Sequence, residues 1–290
     1  MIKPVSIFIM DVSNSSYSSD FGDTLETYLE EISCLVKSWT KDVLSVKVSA
    51  RRGDEIIFIS ENYTTAYTIA FYITRIWKFR NNKPYFGLSF GNINKNIEDI
   101  NLETWIHPLV KQARIANNKL KEIKKNRPPF RFELDNNVNS TSLKELLKTD
   151  PSGNLFTVFE TLINTLIDTQ NLYFGRQTYL QEIISTLKLI IDKQRNIAVL
   201  LKKSPSTISN HLNKGEGTEI IKTFNNITES LNSFQITNLR LESLTSADKI
   251  TAIDNQLNQQ NPYEITNKLN EKIKQHLKNN ISTYFDFSNI

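Results

Sequence analysis

The residues best suited to chemistry are carboxylates. Asp11 closes the run Val5-Ser6-Ile7-Phe8-Ile9-Met10, and Asp54-Glu55 follow Arg51-Arg52-Gly53 between two β-rich stretches. Two carboxylates brought together hold a hard cation, and through it a nucleotide triphosphate. Asp11 and Asp54 are therefore the candidate metal ligands, for Mg²⁺ or Mn²⁺ carrying a nucleotide. Ser13, Asn14, Ser15, Arg52, Gly53 and Glu55 are the candidate nucleotide-binding residues. The serines and Asn14 offer hydrogen bonds, Arg52 offers positive charge, and Gly53 permits a tight turn. The competing account is plain: Gly-Asp is a common turn dipeptide.

The elements that must position these groups follow from hydrophobic period. Residues 5–10 are apolar on both faces and read as a covered central strand. Leu25, Leu29, Ile32, Leu35 and Val36 place a helix over 22–39, with the single cysteine, Cys34, at its surface or boundary. Residues 43–49 and 56–60 form a hairpin, 65–79 a second helix and 85–91 a further strand. Residues 105–125 are expected as a third helix, stopped by Arg127-Pro128-Pro129, and 130–134 as a last strand. The first six elements make a split βαβ of ferredoxin type. In it the first strand lies between the third and fourth, and Asp11 meets Asp54.

The polar stretch 135–142 reads as a linker, after which helices dominate. The expected division is 1–138 for the α/β domain, 139–230 for a helical domain, and 231–290 for a helical extension. Residues 155–169 and 179–191 carry apolar stripes, with Tyr173-Phe174-Gly175-Arg176-Gln177 as a corner.

Residues 192–215 have helix-turn-helix grammar. Ala198 allows close approach; Ile197, Leu201, Ile208 and Leu212 pack inward; Ser204 caps the second helix, Pro205 opens it and Gly215 ends it. Ser206, Thr207, Ser209, Asn210, Asn213 and Lys214 face outward and suit base edges and phosphates of double-stranded DNA. Lys203 stands where many such turns prefer glycine. An ordinary helical hairpin with a polar surface is the competing account.

Composition narrows the rest. The 290 residues carry a net charge of +4, which permits nucleic-acid contact without requiring it. No run of about 18 apolar residues offers a membrane span. The start lacks a signal-peptide pattern, and one cysteine fits a reducing compartment, so the expected location is the cytoplasm. His107, His211 and His276 lack ligand spacing for zinc. No glycine-rich phosphate loop appears. The run Lys119-Leu120-Lys121-Glu122-Ile123-Lys124-Lys125-Asn126-Arg127 reads as charge suited to a helix C-terminus. Ile265, Leu269, Ile273, Leu277 and Ile281 form a stripe assigned to a homodimer contact in preference to packing within the chain.

The order of motifs carries a resemblance. Ile9-Met10-Asp11-Val12-Ser13-Asn14-Ser15, Arg52-Gly53-Asp54-Glu55, Tyr85-Phe86-Gly87-Leu88-Ser89-Phe90-Gly91-Asn92-Ile93, Val110-Lys111-Gln112-Ala113-Arg114, Phe174-Gly175-Arg176-Gln177 and the helix-turn-helix resemble the SatD family over residues 1–230. That resemblance implies a bacterial protein with a nucleotide-cyclase-like domain ahead of a helix-turn-helix. Its wider kinship, with class III nucleotide cyclases and GGDEF synthases, implies metal-binding aspartates at Asp11 and Asp54. The cyclases' base-recognising Lys falls near Ala50, and their Asn and Arg fall near Lys111 and Ile115. A cyclase needs cations aimed at transition-state charge. The expectation is therefore an α+β protein acting as a DNA-binding transcriptional regulator, with a degenerate cyclase-like sensor or dimerisation domain. The alternatives are a metal-dependent cyclase or nucleotidyl-transfer enzyme using Asp11 and Asp54, and a helical module that binds protein partners.

Overall fold

Alternation along the first strand decides the layering. In β1 (Lys3–Val12), Val5, Ile7 and Ile9 join one apolar cluster, while Phe8, Met10 and Val12 join another. A strand buried on both faces must lie inside a sheet covered twice. The computed structural model describes residues 2–15, 19–51, 54–134, 155–243, 247–285 and 287. It shows β1 paired antiparallel with β3 (Glu55–Glu61) on one side and with β4 (Pro84–Ile93) on the other. β2 (Val46–Arg51) extends one edge, and β5 (Phe130–Phe132) runs parallel to β4 at the other, giving the order β2-β3-β1-β4-β5. The first four strands have the expected ferredoxin-like order.

α1 (Ser19–Thr40) and α2 (Thr65–Ile76) cover the Phe8 face. α3 (Pro108–Glu122) covers the Ile7 face through Leu109 and Ala113. The second helix stops three residues earlier than its period suggests, because Trp77 is extended and its indole N–H donates to the Asn82 carbonyl at 2.7 Å. The third helix begins at Pro108, later than 105, because the His107 ring accepts the Leu109 N–H and Trp105 stacks on that ring at 4.5 Å.

The helical part is built from α4 (Leu155–Arg176), α5 (Tyr179–Ile190), α6 (Gln194–Leu200), α7 (Pro205–Lys214) and α8 (Gly217–Ser243), followed by α9 (Ala247–Gln259), α10 (Pro262–Asn279) and α11 (Ile281–Tyr284). It closes over α2, whose residues are all buried except Thr74. Phe224 of α8 stacks on Phe71 at 4.2 Å, and the Tyr67 hydroxyl donates to Gln170 Oε1 of α4 at 3.0 Å. Asn232, Gln235 and Asn238 form a buried polar row on α8. Gln235 accepts the Tyr63 N–H at 2.8 Å, Asn238 donates to the Tyr63 hydroxyl at 2.8 Å, and Thr64 donates to Asn232.

α8 runs unbroken through residue 230, where a division was expected. The 135–142 linker and the boundary near 136–150 lie outside the described residues. The stripe assigned to a dimer contact is taken up within the chain. Leu269, Ile273 and Leu277 are buried, and α10 packs on α1, α5 and α8. Cys34 is exposed. Among the described residues no helix is long and apolar enough to cross a membrane.

Gly87 sets the distance between β4 and α3. A Cβ there would lie 2.2 Å from the Ala113 carbonyl oxygen and 2.3 Å from the Asn117 nitrogen, both backbone atoms. Asn117 uses this closeness to donate to the Ile9 carbonyl at 2.9 Å. Gly87→Ala is expected to destabilise by about 3 kcal/mol, read as a lower urea midpoint. An unchanged midpoint would show that α3 can retreat freely.

Candidate functional site

The carboxylates meet as the topology requires. Met10 pairs with Ile56 across β1 and β3, which sets Asp11 beside the hairpin end that carries Asp54. The two side chains lie within hydrogen-bonding reach of each other. Asp11 Oδ1 also accepts its neighbour Val12 N–H at 2.9 Å, and Lys121 Nζ lies 3.6 Å from Oδ2. The Tyr85 hydroxyl donates to Asp11 from the facing position on β4. Burial first, then the hydrogen bond and like charge of Asp54, push the Asp11 carboxyl up to about 6. Burial, then the Asp11 charge, hold the Tyr85 phenol above its ordinary value, so it remains a donor.

The other expected nucleotide-binding residues divide. Ser15 donates to Asp54 Oδ2. Ser13 turns the other way: its hydroxyl donates to the Lys83 carbonyl at 2.9 Å and accepts from Arg127 at 2.9 Å. Asn14 is exposed in the left-handed region, φ 56°, and its carbonyl accepts from Asn82 at 3.1 Å. Glu55 is held by Arg114 at 2.9 Å and Arg51 at 3.3 Å, a bidentate use of Arg114 that takes it out of any phosphate role in this state. Arg52 and Gly53 lie outside the described residues.

Two carboxylates in contact are a donor pair that Mg²⁺ or Mn²⁺ accepts when phosphates complete the shell. Among the described residues no group of three or more His, Cys, Asp or Glu side chains could hold a metal ion. The Lys121 ammonium already supplies positive charge to Asp11. Tyr85, Lys121 and Arg127 were missed as site residues. Lys121 and Arg127 belong to the cationic run that sequence alone assigns to a helix end, and only the return of the chain beside β1 gives them partners.

The second site is the helix-turn-helix. Ile197, Ala198, Leu201, Ile208 and Leu212 are buried between α6 and α7. The Ser204 hydroxyl caps α7 by accepting the Thr207 N–H at 3.1 Å, and Pro205 opens the helix. Lys202, not Lys203, takes the left-handed turn position, with φ 50°. Gly215 caps α7 at φ −93°, so glycine is required there by space, not by handedness. A Cβ at Gly215 would lie 2.7 Å from Gln181 Cβ.

Ser206, Asn210, Asn213 and Lys214 are exposed, while Thr207 and Ser209 are half-buried. The Ser206 and Thr207 hydroxyls both bond back to Ser204 at 2.8 Å. Arg195, Asn196 and Lys202 are exposed on α6 and the turn. The corner before α5 falls at Gln177, one residue after α4 ends. Gln177 Nε2 donates to the Gly215 carbonyl and to Ser185 Oγ, each at 2.7 Å, which ties the corner to the end of α7.

No protein-family model, curated protein or solved structure matches this chain.

Two outcomes follow from these geometries. Asp11 binds its proton more tightly in the folded than in the unfolded chain. Its contribution to stability is therefore present below pH 3.8 and is lost as pH rises through about 6. The loss is as much as about 3 kcal/mol. Asp54→Asn removes the like charge, so the Asp11 carboxyl should titrate below 6 in a ¹³C NMR titration, and the urea midpoint at pH 7.5 should rise; an unmoved titration would show that burial alone sets it. Lys202→Gly relieves a left-handed lysine and should stabilise the chain by about 0.5–1 kcal/mol, read by the same unfolding curves.

Proposed function

We propose that this chain is a sequence-specific DNA-binding transcriptional regulator, in which a nucleotide-cyclase-like domain serves a helix-turn-helix as its sensor or dimerisation module. The observation that carries this reading is α7. It is a capped helix with a buried inner face, and Asn210, Asn213 and Lys214 are exposed on it, as Arg195 and Lys202 are on the preceding helix and turn. Asparagine amides pair with adenine edges, and cations pair with phosphates. The order of its motifs, which resembles the SatD family, supports the same reading.

The second reading is a metal-dependent nucleotide cyclase or nucleotidyl-transfer enzyme. The contact between Asp11 and Asp54 is what favours it. The engagement of Arg114 by Glu55 weighs against it, since transition-state charge needs a cation free to meet it.

A mobility-shift assay at fixed salt, with DNA from the protein's own promoter region against random duplex, tests the first reading. The Ser206→Ala, Asn210→Ala, Lys214→Ala triple variant should lose at least about tenfold in affinity and show a shallower salt dependence. Equal binding by native and variant protein would remove α7 as the recognition helix. Incubation with nucleoside triphosphates and Mg²⁺ or Mn²⁺ tests the second. Product that vanishes in Asp54→Asn supports an enzyme, and absence of product with every nucleotide ends that reading.

A further inference from the structure

A large concavity lies where the two parts of the chain meet, and it borders the carboxylate pair at Ser13 and Tyr85. Its walls come from the end of α2, the start of β4, the end of α4, α5, and the C-terminal turn at Ser282 to Phe285. Its volume is about 1070 Å³, the scale of sites that enclose small organic ligands.

Its charge is one-sided. Arg75, Lys78, Arg80, Lys83, Arg127 and Arg176 line it, against the single described carboxylate of Glu182. Arg75 is the decisive residue. It is 8 % exposed, yet Nε and Nη1 have no hydrogen-bond partner. Its guanidinium lies over the Phe174 ring at 4.1 Å and the Phe71 ring at 5.6 Å. Burial disfavours the Arg75 cation and holds it below its ordinary value, and the charge of Glu182 opposes that only in part.

Arginine stays protonated in proteins, so it cannot escape burial by losing its proton. A buried cation with empty donors is costly unless an acceptor reaches it. Ring faces attract the charge but do not satisfy the N–H groups. Trp77, Phe79, Tyr85 and Tyr179 supply flat apolar surface on the same walls. Arg80 lies over the Tyr179 ring, so a cation and an aromatic face already stand together at the rim.

We infer that this cavity is a binding site for a small organic anion with an aromatic body, of nucleotide size, whose acidic group meets the charge of Arg75 and the cations around it while its ring stacks on the aromatic walls. This inference is independent of DNA binding and of any nucleotide at Asp11 and Asp54. Among the described residues, Ser13, Tyr85 and Arg127 line the cavity and also belong to the surroundings of the carboxylate pair.

Fluorescence titration with 1-anilinonaphthalene-8-sulfonate, followed by displacement with nucleoside 5′-monophosphates, benzoate or inorganic phosphate, tests it on the full chain. Expected is saturable binding of one probe per chain that weakens with salt. Displacement by monophosphates identifies a phosphate ligand, displacement by benzoate a carboxylate ligand, and inorganic phosphate alone should compete poorly. Arg75→Gln should weaken binding at least tenfold. Arg80 and Arg176 are exposed, so the Arg80→Gln, Arg176→Gln double variant keeps the test open if Arg75→Gln fails to fold, and it too should weaken binding tenfold. Asp54→Asn should leave binding unchanged, which separates this site from the carboxylate pair. Absence of saturable binding in the native chain, native affinity in the variants of the cavity arginines, or loss of binding in Asp54→Asn would overturn the assignment.

Discussion

Everything in this molecule is arranged around a helix with no free face. α2 carries Tyr67, Ile69, Ala70, Phe71, Tyr72 and Ile73 with virtually no solvent exposure. A helix that is apolar all round must be enclosed on every side. The sheet encloses one side of it, and α4, α5 and α8 enclose the other. The helical part is thus a layer of the same core. Its polar pins, from Asn232, Gln235 and Asn238 to the loop before α2, satisfy groups that this enclosure would otherwise leave stranded.

That enclosure has a weak point at its C-terminal end. Ile76 closes the core, but Arg75 beside it is a cation in a position that geometry makes buried. The rings of Phe71 and Phe174 shelter it, and the large cationic cavity opens there. The same wall leads through Gln177 to the carbonyl of Gly215, at the end of the outward-facing helix of the helix-turn-helix. The junction of the two parts therefore holds both a buried cation with two unpartnered nitrogens and a direct hydrogen bond to the helix-turn-helix.

The carboxylate pair lies at the same end of the sheet, beyond Ser13 and Tyr85, and its neighbours define its character. Glu55 uses Arg114 and Arg51, Asp11 uses Tyr85 and Lys121, and Asp54 uses Ser15. Among the described residues, Arg114 and Lys121 already meet carboxylates of the chain. Two carboxylates thus stand together while Arg114, Lys121 and Arg127 are held by partners within the chain.

The βαββαβ order was legible from period and punctuation, and so was the meeting of Asp11 with Asp54, because strand alternation and ferredoxin-like pairing are short-range rules. The grammar of the helix-turn-helix was legible for the same reason: Ser204, Pro205 and Gly215 act on adjacent turns. The partners of Lys121 and Arg127 were not, since a cation in a charged run shows its role only when distant chain returns beside it. Nor was the destination of the Leu269, Ile273 and Leu277 stripe, because an apolar face states that it must be covered and not by what. By itself the sequence determined which residues form elements and which carboxylates converge. Only the tertiary structure decided that the two parts share one core around α2, that the tail closes on its own chain, and that Arg75 is buried with two nitrogens lacking hydrogen bonds, because burial is a property of the whole packing and not of any local pattern.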